Sequence, residues 1–237
     1  MIKYEGKNAI MEALNSDCTI NKILISNTIN RKSINEMLLK AKQKNIRINF
    51  VDNNLIKKES ETKTPQGCVA FAEDFKYSSL QEILNQPKEN KFLLILDGIE
   101  DPHNFGSIIR SAECFGIDGV IIGKNRSCLV TETVIRTSAG AISHIKISRE
   151  TNINQTIETL KKNNFWVFGL ELGGEPLNTT DFSGNIAVVV GSEGKGTSEL
   201  TKKLCDKIVT LDMKGKVNSL NASVATGIGL YEISQKR

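Results

Sequence analysis

MKGKVNSLNASVATGIGLYE, Met213–Glu232, sets small and polar residues (218–223) directly ahead of an apolar, helix-like run. A helix starting there turns its unpaired backbone N–H groups and short side chains toward whatever precedes its first turn. Two other stretches share this grammar of apolar strand, polar glycine-containing turn and helix. They are LLILDGIEDPHNFGSIIRSAECFG, Leu93–Gly116, and IAVVVGSEGKGTSEL, Ile186–Leu200. Three such turns imply one composite site in an α/β domain, because parallel sheets bind ligands beyond the carboxyl ends of their strands.

From Lys91 onward, apolar runs at FLLILD (92–97), GVIIG (119–123), HIKI (144–147), FWVFGL (165–170), IAVVV (186–190) and KIVTL (207–211) alternate with helix patterns. Short continuous apolar runs between helices predict a parallel sheet covered on both faces. The first third predicts a smaller α/β module. Its helices are expected near Asn8–Leu14, Ile34–Lys44 and Asn53–Lys58, and its strands at KILIS (22–26), IRINFV (46–51) and GCVAFAE (67–73). Residues 74–90 are polar apart from one amphipathic patch and are broken by Pro87, so they read as a linker. The expected division is therefore 1–73, a linker 74–90, and 91–237.

The 39% hydrophobic content supplies an ample core for these 237 residues. Net charge is +4, and residues 1–75 carry 12 Lys/Arg against 9 Asp/Glu, while the remainder carries 19 against 18. The basic excess thus sits in the first third, where it suits nucleic acid and equally a solvated surface. The five cysteines (Cys18, Cys68, Cys114, Cys128 and Cys205) are odd in number and show no metal or redox spacing. They read as buried thiols. With no signal peptide or long apolar run, the expected setting is a reducing cytoplasm without membrane contact. His103 and His144 lie far apart, so a histidine-based metal site is not expected.

The turns exclude the commonest nucleotide signatures. None contains G-x-G-x-x-G, and Gly191–Ser198 departs from a P-loop because Thr197 stands where lysine should be and Lys195 comes too early. Glu193 would also set negative charge inside a phosphate cradle. A carboxylate in such a turn suits a ligand that is uncharged or cationic there, while Gly191 and Gly194 allow close backbone approach. The alternative is that these glycines only make tight turns and Glu193 caps the next helix. Asn104 is expected to cap the helix that carries Arg110.

In order, the turns resemble the three motifs of the SpoU/TrmH group of SPOUT RNA ribose 2′-O-methyltransferases. The first is Asn104-Phe-Gly-Ser-Ile-Ile-Arg110-Ser-Ala and the second Val-Val-Gly191-Ser-Glu193-Gly194. The third is Leu211-Asp-Met213-Lys-Gly followed by Asn218-Ser219-Leu220-Asn221-Ala-Ser223-Val-Ala. The resemblance spans residues 91–237. More loosely, Tyr4-Glu-Gly6-Lys-Asn-Ala-Ile10 and Pro65-Gln-Gly67-Cys-Val-Ala resemble the small RNA-binding domain of the bacterial ribosomal-RNA branch, which methylates a guanosine ribose in 23S rRNA.

The resemblance implies a C-terminal parallel-sheet domain threaded as a trefoil knot, with S-adenosylmethionine as cofactor and a homodimer as the assembly. It implies catalytic roles for Asn104, Arg110, Glu193, Ser219 and Asn221. Cofactor contacts are implied at Gly191, Gly194, Leu211, Met213, Leu220 and Ser223, with no metal. Leu211 and Leu220 serve equally as core packing, and Ser219 and Asn221 as the hydrogen bonds of a tight loop. Arg110 is the residue implied to help activate the 2′-OH. A guanidinium offers N–H donors and no acceptor, so holding a phosphate and steadying an alkoxide suits it better than taking a proton. Alternative readings are a tRNA guanosine 2′-O-methyltransferase, a non-catalytic RNA-binding or ribosome-assembly factor, and a resistance methyltransferase.

Overall fold

A computed structural model describes residues 1–15, 18–60, 66–192, 194, 196–215 and 219–237. Pro65, Glu193, Lys195 and Asn218, each used in the sequence reading, lie outside the described residues. The chain divides into two units, Met1–Lys76 with Val130–Ser143, and Tyr77–Leu129 with His144–Arg237.

The first unit is built on strands β1 (Ile2–Glu5), β2 (Ile20–Ser26), β3 (Arg47–Val51) and β4 (Cys68–Ala72) in the order β1-β4-β2-β3. β4 runs antiparallel to β1 and β2, whereas β2 and β3 are parallel. Only β1 was not anticipated: four residues are too short for a period-2 signal, and the strand is recognisable from its partner. Helix α1 (Lys7–Asn15) buries Ile10, Ala13 and Leu14, an i, i+3, i+4 stripe facing the sheet. Helices α2 (Asn35–Gln43) and α3 (Asn53–Glu59) complete this part, α3 being capped by Asp52, which accepts from the Asn54 N–H at 2.8 Å. β3 is an open edge. Its Phe50 is exposed, and the Arg31 guanidinium lies 4.8 Å from the ring centroid.

The second unit begins with α4 (Leu80–Leu84), inside the expected linker. Ser79 and Glu82 form a reciprocal capping box, and Ile83 is fully buried in the core with Leu93, Ile121 and Ile157. A Cβ at Gly119 would lie 2.6 Å from Ile83, so only glycine lets this helix reach the sheet. Strand β5 (Phe92–Asp97), helix α5 (Pro102–Cys114) and strand β6 (Gly119–Gly123) follow. The chain then contributes α6 (Glu132–Thr137) to the first unit, where it packs on β1.

It returns as β7 (Ile147–Glu150), α7 (Ile153–Lys162), β8 (Phe165–Pro176), β9 (Asn185–Gly191), α8 (Glu199–Leu204), β10 (Lys207–Thr210) and α9 (Ala222–Ser234). β7 starts at the last residue of the expected HIKI strand, because a 3₁₀ turn at Ala141–Ser143 leaves residues 144–146 to lead the chain into the sheet. The last helix begins at Ala222, directly after its cap Asn221.

All pairings in the sheet β10-β8-β9-β5-β6-β7 are parallel. From β5 the chain moves outward through β6 to β7, then returns to set β9 on the other side of β5. The direction of winding therefore reverses between β5 and β9, which pair with Asp97 opposite Gly191. Such a reversal opens a crevice at the carboxyl ends of the strands. No helix among the described residues is long and apolar enough to cross a membrane. Of the cysteines, Cys68 is buried, but Cys114 is exposed and the others are half-buried, which corrects the reading of all five as buried thiols.

Candidate functional site

The turn after β9 folds back on its own first residue. Gly196 N–H donates to the Ser192 carbonyl at 2.9 Å. A Cβ at Gly191 would lie 2.1 Å from both Gly196 C and Thr197 N, a separation no side chain tolerates. Gly194 and Gly196 have φ of +83° and +64°, in the left-handed region that glycine enters without strain. The Glu171 carboxylate from β8 accepts the Thr197 N–H and sits 3.9 Å from Lys202 Nζ. This carboxylate clamp holds the turn from the side of β8.

A cavity of about 390 Å³ opens on one face of the turn, within the roughly 300–1,000 Å³ typical of small-molecule sites. Gly191, Gly194, Leu211, Met213 and Leu220 line it, as does Ser219, with Leu170, Leu172 and Val190 adding apolar wall and Glu171 a carboxylate. Of the expected cofactor residues only Ser223 is elsewhere. Its hydroxyl donates to Asn221 at 2.6 Å, and it lines a separate groove between α5 and α9.

The remaining expected residues fall into three places. Asn221 caps α9, its Oδ1 accepting from Ser223 N–H at 2.9 Å, while its Nδ2 donates to Asn104 Oδ1 at 2.9 Å. The first and third motif turns are thus tied side chain to side chain. Asn104 does not cap α5, which corrects the expectation. Asp101 is the cap, accepting from the Asn104 N–H at 2.7 Å, with Pro102 in the first turn. Arg110 is exposed on α5 and lines neither this cavity nor the one on the other side of the turn. Glu193 lies outside the described residues.

That other cavity, about 670 Å³, shares Ser192 and Gly196 with the first and reaches Asn104, Asp97, the 123–127 loop, Asn152, Asn154 and Thr201. The sequence reading passed over most of these. Asp97, a carboxylate closing an apolar strand, was the available signal, and so was Glu171, a carboxylate interrupting one. Nearby thiols are unreactive by environment: burial first, then the Asp206 carboxylate, push Cys205 up to about 12, and burial followed by Asp101 raises Cys128. Among the described residues no cluster of three or more His, Cys, Asp or Glu side chains is arranged to hold a metal ion.

With this geometry in hand, the similarities to known proteins are informative. The SpoU rRNA methylase family matches residues 91–231, and the RNA 2′-O-ribose methyltransferase substrate-binding family matches residues 4–78. A relative from Staphylococcus saprophyticus, named provisionally as a TrmH family tRNA/rRNA methyltransferase, is 44% identical over 240 residues, covering 98% of this chain and 94% of its own. Among solved structures, the SpoU methyltransferase AviRb from Streptomyces viridochromogenes, in complex with AdoMet, superposes with a TM-score of 0.86 at 23% identity. That match covers 99% of this chain and 89% of the other. An AdoMet-bound rRNA methyltransferase from Sinorhizobium meliloti gives 0.82 at 23% identity, covering 99% and 87%. At these identities the two structures speak to the fold alone.

Asn221 is expected to act both as a cap and as a tie. Asn221→Ala should lower the unfolding free energy of the full chain by about 1 kcal/mol in urea titration, and Asn221→Ser should recover most of that loss, since serine caps as well. Equal loss in both variants would assign the stability to the Asn104 contact instead.

Proposed function

The chain belongs to the SpoU/TrmH family of RNA 2′-O-ribose methyltransferases, and on that premise we propose that it methylates a guanosine ribose of 23S rRNA as a cytoplasmic homodimer. The observation that carries this reading is the make-up of the 390 Å³ cavity. Leu170, Leu211 and Leu220 offer apolar surface to an adenine ring. Gly191 and Gly194 leave backbone bare, and Glu171 is the one carboxylate lining the cavity among the described residues, suited to a cationic ligand. These residues fit S-adenosylmethionine, which is the methyl donor. When bound, it supplies a methyl group already activated on a sulfonium. The reading extends to the trefoil knot, since Gly191, Gly194 and Gly196, the stretch 210–213 and the stretch 219–225 all contribute to this cavity.

The chain's own residues have the task of placing the ribose hydroxyl, an effect worth up to about 7–11 kcal/mol in favourable cases. The Asn104–Asn221 pair fixes the first and third turns relative to each other. Ser219 lines the same cavity, and Glu193 is the carboxylate of the second motif by sequence. Arg110 holds the phosphate next to the target ribose and steadies the developing alkoxide through its N–H donors.

Two features of the remaining surface support the substrate and the assembly. The first unit carries most of the basic excess, and Phe50 beneath Arg31 on its open strand offers a stacking platform for an unpaired base. On α9, Val224, Ile228 and Tyr231 form an exposed i, i+4, i+7 stripe beside an apolar groove that also includes Phe115. A second copy covers that stripe. Arg110 is exposed on the same helix as the groove residues Ser107 and Ser111, so the same assembly brings the arginine toward a site. Light scattering at micromolar concentration should give twice the chain mass, and the chain mass alone would refute the homodimer.

Incubation with labelled S-adenosylmethionine and unmodified 23S rRNA, with tRNA in parallel, should place label in 2′-O-methylguanosine from rRNA. Arg110→Ala should slow transfer at least about a hundredfold while cofactor binding stays unchanged. Label found only in tRNA would reassign the substrate, and cofactor binding with no transfer to either RNA would overturn the catalytic reading.

A further inference from the structure

Strand β8 breaks its own ladder where it borders the smaller cavity. Its pairing with β9 ends at Leu170 opposite Val190, and its register with β10 jumps from Gly169 opposite Ile208 to Glu175 opposite Val209. Residues 170–174 therefore bulge out of the ladder, and Leu170, Glu171 and Leu172 all line the cavity. The bulge closes on a glycine, since a Cβ at Gly174 would lie 2.4 Å from the Ile208 carbonyl oxygen. Bulges re-aim side chains, and this one carries a carboxylate to the cavity wall.

Holding the turn after β9 does not require that charge. The Glu171 carboxylate accepts the Thr197 N–H, a bond that the oxygen of a neutral glutamine would accept as well. Lys202 is the cation beside it, at 3.9 Å, but it lies closer to Glu199, at 3.4 Å, and so is shared between two acids. The Glu171 side chain is 16% exposed and that of Lys202 31%, so the carboxylate is the less screened of the two. None of the described residues lining the cavity carries a positive charge. The wall therefore presents a fixed negative charge to its occupant.

S-Adenosylmethionine carries two cations, the sulfonium and the α-ammonium, and methyl transfer removes only the first. The C–S bond breaks with its electron pair left on sulfur, a C–O bond forms to the ribose, and the hydroxyl proton passes to solvent water. The sulfide product, S-adenosylhomocysteine, differs from the donor by one methyl group and one positive charge. Resting on S-adenosylmethionine as the occupant of this cavity, we infer that Glu171 is the residue that tells the methyl donor from the spent product. Its charge favours the sulfonium form, and the loss of that cation on transfer loosens the hold on the product and speeds its release. Lys202 opposes this preference, because a cation beside Glu171 offsets part of the same charge.

Calorimetric titration of the full-length protein with S-adenosylmethionine, S-adenosylhomocysteine and sinefungin tests this directly. Sinefungin carries a protonated amine in place of the methylated sulfur, so it keeps the cation without the sulfonium. Glu171→Gln should lower the affinity ratio of donor to product at least about tenfold, or about 1.4 kcal/mol. The loss should fall on S-adenosylmethionine and sinefungin and spare S-adenosylhomocysteine. Lys202→Met leaves Glu171 and Thr197 in place and should raise the same ratio. Equal losses for donor and product in Glu171→Gln would assign the carboxylate to the α-ammonium or to the turn alone, and unchanged affinities would leave it only the turn; either result overturns the proposal. Should Glu171→Gln fail to fold, Lys202→Met decides, and a ratio that stays level or falls overturns it. The outcome is separable from methyl transfer: methylation with an unchanged ratio sinks only this assignment, whereas the expected shift in ratio without transfer to RNA sinks only the enzymatic reading.

Discussion

Everything at the carboxyl end of the large sheet depends on one close approach of backbone to backbone. Gly191 ends β9, and the chain folds back so tightly that Gly196 and Thr197 occupy the space a Cβ would need. That contact turns the segment into a thin wall with a cavity on each face. It also lies across from Asp97, at the one point in the sheet where the winding reverses. A side chain at 191 would push the turn away from the sheet and merge or close the two spaces. Glu171 holds the turn from the β8 side.

A second constraint joins distant parts of the chain. Asn221 uses both ends of one amide: the oxygen caps α9 and the NH₂ reaches Asn104, 117 residues earlier. The resulting geometry belongs to rigid elements, because each partner sits in the first turn of a 13-residue helix or caps one. A site assembled this way is organised before any ligand arrives, which is what positional catalysis requires. Arg110 stands apart from it, exposed on α5.

Much of this was legible in the sequence, and the failures have identifiable causes. Continuous apolar runs marked the strands of the large sheet because buried parallel strands need no alternation, and the three polar turns fell where the crevice forms. β1 and α4 were missed since four or five residues carry too little periodicity, although Ser79 and Glu82 spell a capping box. Asn104 is a cap by residue type alone, whereas Asp101 followed by Pro102 is the stronger start signal. No local pattern announces that residues 130–143 belong with the first unit, or that Asp97, Asn154 and Thr201 converge across 104 residues. Those are properties of topology, and only the folded chain displays them.

The central claim is an assignment between two cavities that share one wall: the smaller, lined by Gly191, Leu211 and Leu220, takes the methyl donor. A crystal structure of the protein with S-adenosylhomocysteine tests it most directly. The account predicts electron density for the ligand between Gly191, Leu211 and Leu220, with the cavity over Asp97 and Thr201 left open. Density for the ligand over Asp97 and Thr201 instead would contradict it.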